Sequence, residues 1–308
     1  MSILTRTGEE LHIFLKNKKK QKELNQETFN LLSKDLGKNL LEAVRFALTK
    51  DISILYYMLK TKFYYLFKNE NKKLINSENI LFSKIMGFDP KIIEISLGKK
   101  NIILESPANL RLVFVELKEI ITDNQYNINK ENIKGKLVAD VGANIGLFSL
   151  YAACLGSKKI YAFEPVKGTF AELKKNISSN SFSNKIVAVN KAVGNKKGSV
   201  SIYFNYDVDG RSSLDFLNDK SRSQKVQVIL LDDFFKNKVD FIKIDTEGHE
   251  EQVLLGAKRI IKTFKPILSF SAYHKKDDKT RLPSVLRNIR KDYKIELFSF
   301  CEDDFYCY

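Results

Sequence analysis

The sequence has no tryptophan, three cysteines, three histidines, five prolines and, among 52 basic residues, only nine arginines. Each shortage excludes something. Cys154, Cys301 and Cys307 are an odd number without Cys-x-x-Cys spacing, so neither a disulfide framework nor a structural zinc site is expected. Free thiols in a reducing, cytoplasmic compartment are the expectation. Long apolar runs are also missing. The greasiest zone, 52–67, is broken by Lys60 and Lys62, which leaves no bilayer-spanning run. Met1–Glu10 carries two acids and no apolar core, and is not expected to be a secretory signal.

The scarcity of arginine bears on the net charge of +15. Residues 1–130 hold 22 basic against 15 acidic side chains, and residues 131–308 hold 30 against 22, so the excess is spread and not gathered in an arm. Arginine is the side chain for bidentate recognition of bases and phosphates, whereas dispersed lysine is more often a solvated surface. Nucleic acid is therefore not the expected partner. Peripheral contact with a membrane, or an anionic substrate, stays open. Oligomeric state is not encoded legibly.

What is present is a globular balance, with 44% hydrophobic and 29% charged residues in a chain of 308, enough for a sizeable core. Three zones follow one another. Residues 1–87 are helical in pattern: Leu41, Val44, Leu48, Ile52, Leu55 and Leu59 step at helical spacing, with a crowd of Tyr and Phe beyond them. That aromatic crowd reads first as core packing, and secondly as a docking face for a lipid-linked or glycan substrate. Residues 88–135 read as a lead-in packed on the next domain: short apolar runs, a helix through "NLRLVFVELKEII", then the polar "TDNQYNINKENIKGK". Residues 136–308 alternate. The strands "KLVADVG", "KIYAFEP", "KIVAVNKAV", "DFIKIDTEG" and "PILSFSAYH" are separated by helical patterns, which predicts an α/β, doubly wound, mostly parallel sheet. An insertion from "GSVSIYF" to "KVQVILLD" predicts extra strands. The closing "YKIELFSF" and "DDFYCY" leave no room for a crossover helix and must pair antiparallel. A parallel sheet closed by such a hairpin resembles the Rossmann-like fold of Class I methyltransferases, here preceded by a helical region.

The segment "VADVGANIGLFSLYAACLG" joins the first of these strands to the first helix. Gly142 and Gly146 permit close backbone approach, and the helix start behind them offers unpaired N–H groups. A pyrophosphate fingerprint needs glycine at 144 and 147, but these are Asn and Leu, so NAD is disfavoured. Asp140-x-Gly142-x-Asn144-x-Gly146 is instead the pattern of an S-adenosylmethionine (SAM) loop. Glu164 ends the second strand, 22 residues after Gly142, where an acid accepts hydrogen bonds from ribose hydroxyls. Asn190, at the end of the third strand, lies at the adenine position, although Asn is equally a turn residue.

Together "VADVGANIGLFSLYAA", "AFEP", "NKAVGNKKGSVSIYF", "SSL", "VILLDDFF" and "VDFIKIDTEGHEEQVLLGA" resemble the FkbM family of SAM-dependent methyltransferases, from about residue 115 to 275. The resemblance implies O-methylation of a hydroxyl on a small molecule, a sugar or glycan, or a lipid-linked acceptor. Nothing in residues 1–87 belongs to the shared pattern, and those residues are expected to select the acceptor.

The fourth strand ends in "IDTEGHEE". Ligands of open α/β sheets bind beyond the carboxyl ends of the strands, so Asp245 is expected beside the transferred methyl group, as the first catalytic candidate. Glu247 follows as base or acceptor ligand, or else as an ion-pair partner of Lys243. His249 is a weaker candidate, since the resemblance tolerates other residues there. Glu250 and Glu251 are expected to serve the helix dipole. His274, after the fifth strand, is the other base candidate. Two acids with His274 could instead hold a divalent metal, but no complete ligand set is spelled out and no metal is expected. Arg211, Ser212 and Ser213 in the insertion are possible acceptor contacts. Two other readings stay open: methylation of RNA or protein, and a non-catalytic SAM- or nucleotide-binding module.

Overall fold

The computed structural model describes residues 2–4, 10–15, 92–97, 100–105, 113, 116–204, 212–213, 222–299 and 302–308. The first sheet is antiparallel throughout, in the order β1 (Ser2–Leu4), β2 (Glu10–Leu15), β3 (Ile92–Leu97) and β4 (Lys100–Glu105). Two stretches of the region expected to be helical, Ser2–Leu4 and Glu10–Leu15, are thus strands. The pattern from Leu41 to Leu59 and the aromatic crowd lie outside the described residues. Strand β4 is an edge, and its outward backbone groups need partners. Two asparagines supply them: Asn180 Oδ1 accepts from the Ile103 amide (2.9 Å), Asn180 Nδ2 donates to the Ile103 carbonyl (2.8 Å), and Asn176 Oδ1 accepts from the Glu105 amide (3.2 Å).

A π-helical turn at Leu117–Thr122 and a single-turn helix α1 (Lys130–Ile133) lead into the main domain. Asn129 caps α1 in a reciprocal capping box with Asn132. There follow β5 (Leu137–Val141), α2 (Leu147–Cys154), β6 (Lys159–Phe163), α3 (Lys167–Ser178), β7 (Ile186–Val189), β8 (Ala192–Val193), β9 (Gly198–Phe204), β10 (Ser212–Ser213), β11 (Arg222–Ile229) and α4 (Leu231–Phe234). After these come β12 (Phe241–Ile244), α5 (Glu250–Gly256), α6 (Lys258–Phe264), β13 (Ile267–Ser271), α7 (Asp278–Ile289), β14 (Ile295–Ser299) and β15 (Asp303–Cys307).

The central sheet has seven strands in the order β14-β15-β13-β12-β5-β6-β7. All neighbours are parallel except β15, which runs antiparallel to both β13 and β14. This is the Class I methyltransferase sheet, closed by the expected hairpin. The insertion forms a second small sheet, β10-β9-β11-β8. From β5 the chain winds outward through β6 and β7, then returns to lay β12 on the other side of β5. The switch point therefore falls between β5 and β12, the position where open α/β sheets bind ligands.

Alternation along each strand sends side chains to two cores. Val138 and Phe241 pack on the face covered by α2, while Ala139, Val141, Ile242 and Ile244 pack on the face covered by α5, α6 and α7. Every residue of α2 is buried, which explains its apolar composition around the whole circumference. A fully buried Leu or Phe such as Leu150 or Phe241 contributes about 1.5–3 kcal/mol. Cys154 and Cys307 are buried and form no disulfide. Among the described residues no helix is long and apolar enough to cross a membrane.

Candidate active site

The register of β5 against β12 pairs Lys243 with Asp140 and Ile244 with Val141. One residue further on, Gly142 and Asp245 leave their strands side by side, with the Asp245 amide bonded to the Val141 carbonyl (3.0 Å). Gly142 has φ +77°, and a Cβ there would lie 1.7 Å from the Asp245 carbonyl oxygen. Only glycine lets the loop and the strand tip meet. Gly146 starts α2 at φ +94°, and a Cβ there would lie 2.5 Å from Leu173. The Gly142 and Ala143 amides both donate to the Phe163 carbonyl, at 3.1 and 2.9 Å, which fixes the loop across the tip of β6.

Glu164 follows β6. One carboxylate oxygen accepts from the Val166 amide (2.9 Å) and the other from the Asn144 amide (3.1 Å), leaving further lone pairs for a ligand. Burial pushes this carboxyl up to about 7, against the two amides that favour its charged form. Asn144 also donates its side-chain amide to Glu116. Burial raises the Glu116 carboxyl well above its ordinary range, while Lys243 pulls the other way. Asn190 donates to the carbonyls of Glu164 (2.8 Å) and Pro165 (3.0 Å), so its side chain braces the turn behind Glu164.

Asp140 does not reach the cleft. It is fully buried beneath the loop, where Ser149 Oγ donates to Oδ2 (2.7 Å) and Lys243 Nζ lies 3.3 Å from Oδ1. Lys243, expected as a partner of Glu247, serves the loop instead. It donates to the Gly142 carbonyl (2.6 Å), stands 4.0 Å from Asp245 Oδ2, and lies over the Tyr126 and Phe148 rings at 5.2 and 5.9 Å. Burial disfavours its charge, but Asp140, Asp245 and Glu116 outweigh that and hold its pKa above the ordinary value.

At the tip itself, Tyr126 donates its hydroxyl to Asp245 Oδ2 (2.8 Å). Burial, and then the Asp245 charge, keep this phenol protonated. Glu247 (φ +53°) and Gly248 (φ +98°) are both left-handed and turn the chain sharply after β12. Glu250, expected to act only on the helix dipole, folds back over that turn. Its Oε1 accepts from the Thr246 amide (2.9 Å), the Gly248 amide (3.2 Å) and the Thr246 hydroxyl (3.2 Å). His274 comes in from the end of β13. Its Nδ1 faces Glu250 Oε1 at 3.2 Å, and its Nε2 faces Glu247 Oε2 at 3.4 Å and Asp245 Oδ1 at 3.8 Å. Burial opposes charging this ring, but the surrounding carboxylates push it up to about 11. His249 begins α5 and faces the cleft. Glu251 pairs with Arg281, away from the tip.

These parts surround one cleft of about 770 Å³, partly open to solvent and lined by Gly142, Asn144, Glu164, Lys191, Asp245 and Glu247 among others. Of the residues named from sequence, Gly142, Asn144, Glu164, Asp245, Glu247 and His249 line it; His274 stands behind Asp245 and Glu247. Ser212 and Ser213 form β10, and Arg211 lies outside the described residues. Sequence reasoning missed Tyr126, Glu116 and the loop-holding roles of Lys243 and Glu250. One signal was available: a lysine inside the otherwise apolar "FIKI" must find a buried partner.

A family model, the methyltransferase FkbM domain, matches residues 140–298. The methyltransferase sdnD of Sordaria araneosa is 28% identical over 175 residues, 45% of this chain and 66% of that protein. A methyltransferase FkbM crystal structure from Methylobacillus flagellatus aligns at TM-score 0.45 and 22% identity, covering 60% of this chain and 49% of that one. An rRNA methylase from Streptococcus thermophilus aligns at TM-score 0.38 and 14% identity, covering 58% and 88%. The chain thus spans just under two thirds of the curated relative and about half of the first of these solved structures. The family model covers more than half of the 308 residues, and the chain belongs to the FkbM methyltransferase family.

Proposed function

We propose that the protein is a SAM-dependent O-methyltransferase acting on a hydroxyl of a small molecule, a sugar or glycan, or a lipid-linked acceptor. The observation that carries this reading is the sharing of one cleft by the glycine loop, Glu164 and the acid-bearing tip of β12. The donors and acceptors present fit the cofactor. Glu164 keeps free lone pairs for a diol, and the turn at Gly142 and Asn144 opens its backbone to the same cleft. When bound, SAM supplies a methyl group already activated on a sulfonium.

The chain's own task is then to position an acceptor and take up its proton. Asp245 suits this. One oxygen is tied to Tyr126, so the carboxylate cannot swing, and the other faces His274. Glu247, a third exposed, is the carboxylate that an acceptor meets first from solvent. Acceptor choice we assign to residues before 88, because every described residue that lines the cleft itself follows 135.

Calorimetry on the full chain with SAM, its demethylated product and NAD is the direct test. Binding of the first two is expected; binding of NAD alone would sink the reading. Labelled SAM incubated with separate glycan, lipid, RNA and protein pools then identifies the acceptor class.

A further inference from the structure

We propose that Asp245, Glu247 and His274 form a binding site for a first-row divalent cation at the edge of the cleft, with Glu250 and Tyr126 holding the ligands in place. Four observations carry it.

The first is His274. Its side chain is nine-tenths buried, and neither ring nitrogen makes a well-aligned hydrogen bond. Its neighbours are three carboxylates, of Glu250, Glu247 and Asp245, and a bound cation would take the place of the proton at Nε2.

The second is spacing. Metal–ligand bonds of about 2.1 Å place neighbouring ligand atoms about 3.0 Å apart in an octahedron and about 3.4 Å apart in a tetrahedron. His274 Nε2 stands 3.4 Å from Glu247 Oε2 and 3.8 Å from Asp245 Oδ1, each close to such a separation. Asp245 and His274 also belong, with Glu250, to a group whose potential ligand atoms lie within 4.8 Å of one another.

The third is the layer behind the ligands. A metal-binding imidazole usually gives its other N–H to a carboxylate, which sets the tautomer. Glu250 Oε1 lies 3.2 Å from Nδ1 and fills that role. It is itself held by two amides and a hydroxyl, so it is the supporting residue and Glu247 the ligand. Tyr126 occupies Asp245 Oδ2 and leaves Oδ1 turned toward His274.

The fourth is charge. Three carboxylates converge on one imidazole, and the nearest buried cation, Lys243, is shared with Asp140 and the Gly142 carbonyl. Imidazole with carboxylates favours manganese, iron or zinc over magnesium. An open position on such a cation would face the cleft and acidify an acceptor hydroxyl. That catalytic link rests on the function proposed above; cation binding does not.

The experiment is titration of MnCl2 into the chelator-stripped full-length protein, with free Mn2+ followed by electron paramagnetic resonance and SAM titrated into the same samples by calorimetry. One Mn2+ per chain is expected. His274→Gln and Glu247→Gln should each weaken it at least tenfold, Glu250→Gln by about 10–100-fold. Asp233→Asn, on exposed α4 and paired with Lys197, should leave it unchanged. Glu247 is a third exposed, so its variant tests the site even if the His274 variant misfolds. Absence of Mn2+ uptake in a protein that binds SAM overturns the site and leaves an imidazolium paired with carboxylates. Uptake that survives both His274→Gln and Glu247→Gln undiminished overturns it equally. Uptake as expected without SAM binding upholds the site and sinks the cofactor reading.

Discussion

Lys243 Nζ and Asp140 Oδ1 face each other at 3.3 Å across the β5–β12 pair, both almost wholly buried beneath the cofactor-type loop. Removing one member strands the other charge, which typically costs about 3–5 kcal/mol. Lys243→Met should therefore destabilise the protein by that order. The double change Lys243→Met with Asp140→Leu should recover part of the loss. Urea denaturation of the four variants measures the coupling, and additive effects would refute it.

Asp245→Ala is expected to lower turnover on the true acceptor by about 10²–10⁴-fold, the usual range for losing a positioned proton acceptor. Tyr126→Phe, which frees Asp245 Oδ2, should have a smaller effect of the same sign, mainly in kcat. His249→Ala should cost less than Asp245→Ala, because His249 starts a helix and the strand does not fix it. Asp245→Asn separates two roles: retained activity means positioning without basicity. Steady-state kinetics on variants with matched melting temperatures decides.

On the proposed function, Glu164 should give SAM binding a pH dependence. Burial pushes its carboxyl up to about 7, and only the ionised form could accept from both ribose hydroxyls. Affinity should fall as pH drops through 7 and level off above it. Glu164→Gln should bind SAM weakly at every pH and show no step. Calorimetry between pH 6 and 8.5 measures both.

Asp304 is a stability sensor. Burial first, and the Asp245 charge next, push its carboxyl up to about 8, against hydrogen bonds from Ser271 and Gln125. An acid whose folded pKa is raised favours folding below its unfolded value and loses that advantage as pH rises through the folded one. Stability should thus decline between about pH 4 and pH 8, by a few kcal/mol. Asp304→Asn should flatten the decline and raise the melting temperature at pH 8 relative to the parent.

The sheet was legible because its strands are local apolar runs separated by helical periodicity, and because the short link between "YKIELFSF" and "DDFYCY" permits only a hairpin. Asp245, Glu164 and Gly142 were legible because they sit at strand ends, where topology alone brings them together. Tyr126 was not: it lies 119 residues from Asp245 in a polar stretch without periodicity, and only the packed loop joins them. For Lys243 sequence offered only Glu247, as an alternative partner; Glu247 is near in sequence but sits in the left-handed turn after β12, whereas Asp140 is distant in sequence and adjacent in register. The helical reading of the first residues extended the pattern of Leu41–Leu59 too far. Strand β2 owes its form to β3, some 80 residues away, and the local sequence carries no trace of that partner.

Strand β15 lies between β13 and β14. Among the described strands β14 pairs with β15 alone, so β15 joins it to the rest of the sheet. A chain cut before Asp303 therefore bares an edge along Ile267–Ser271 and leaves Ile295–Ser299, including the outward Leu297, without its ladder partner. Such edges invite pairing with other chains. A chain cut before Asp303 should consequently aggregate far more readily than the full-length chain, as light scattering at equal concentration would show.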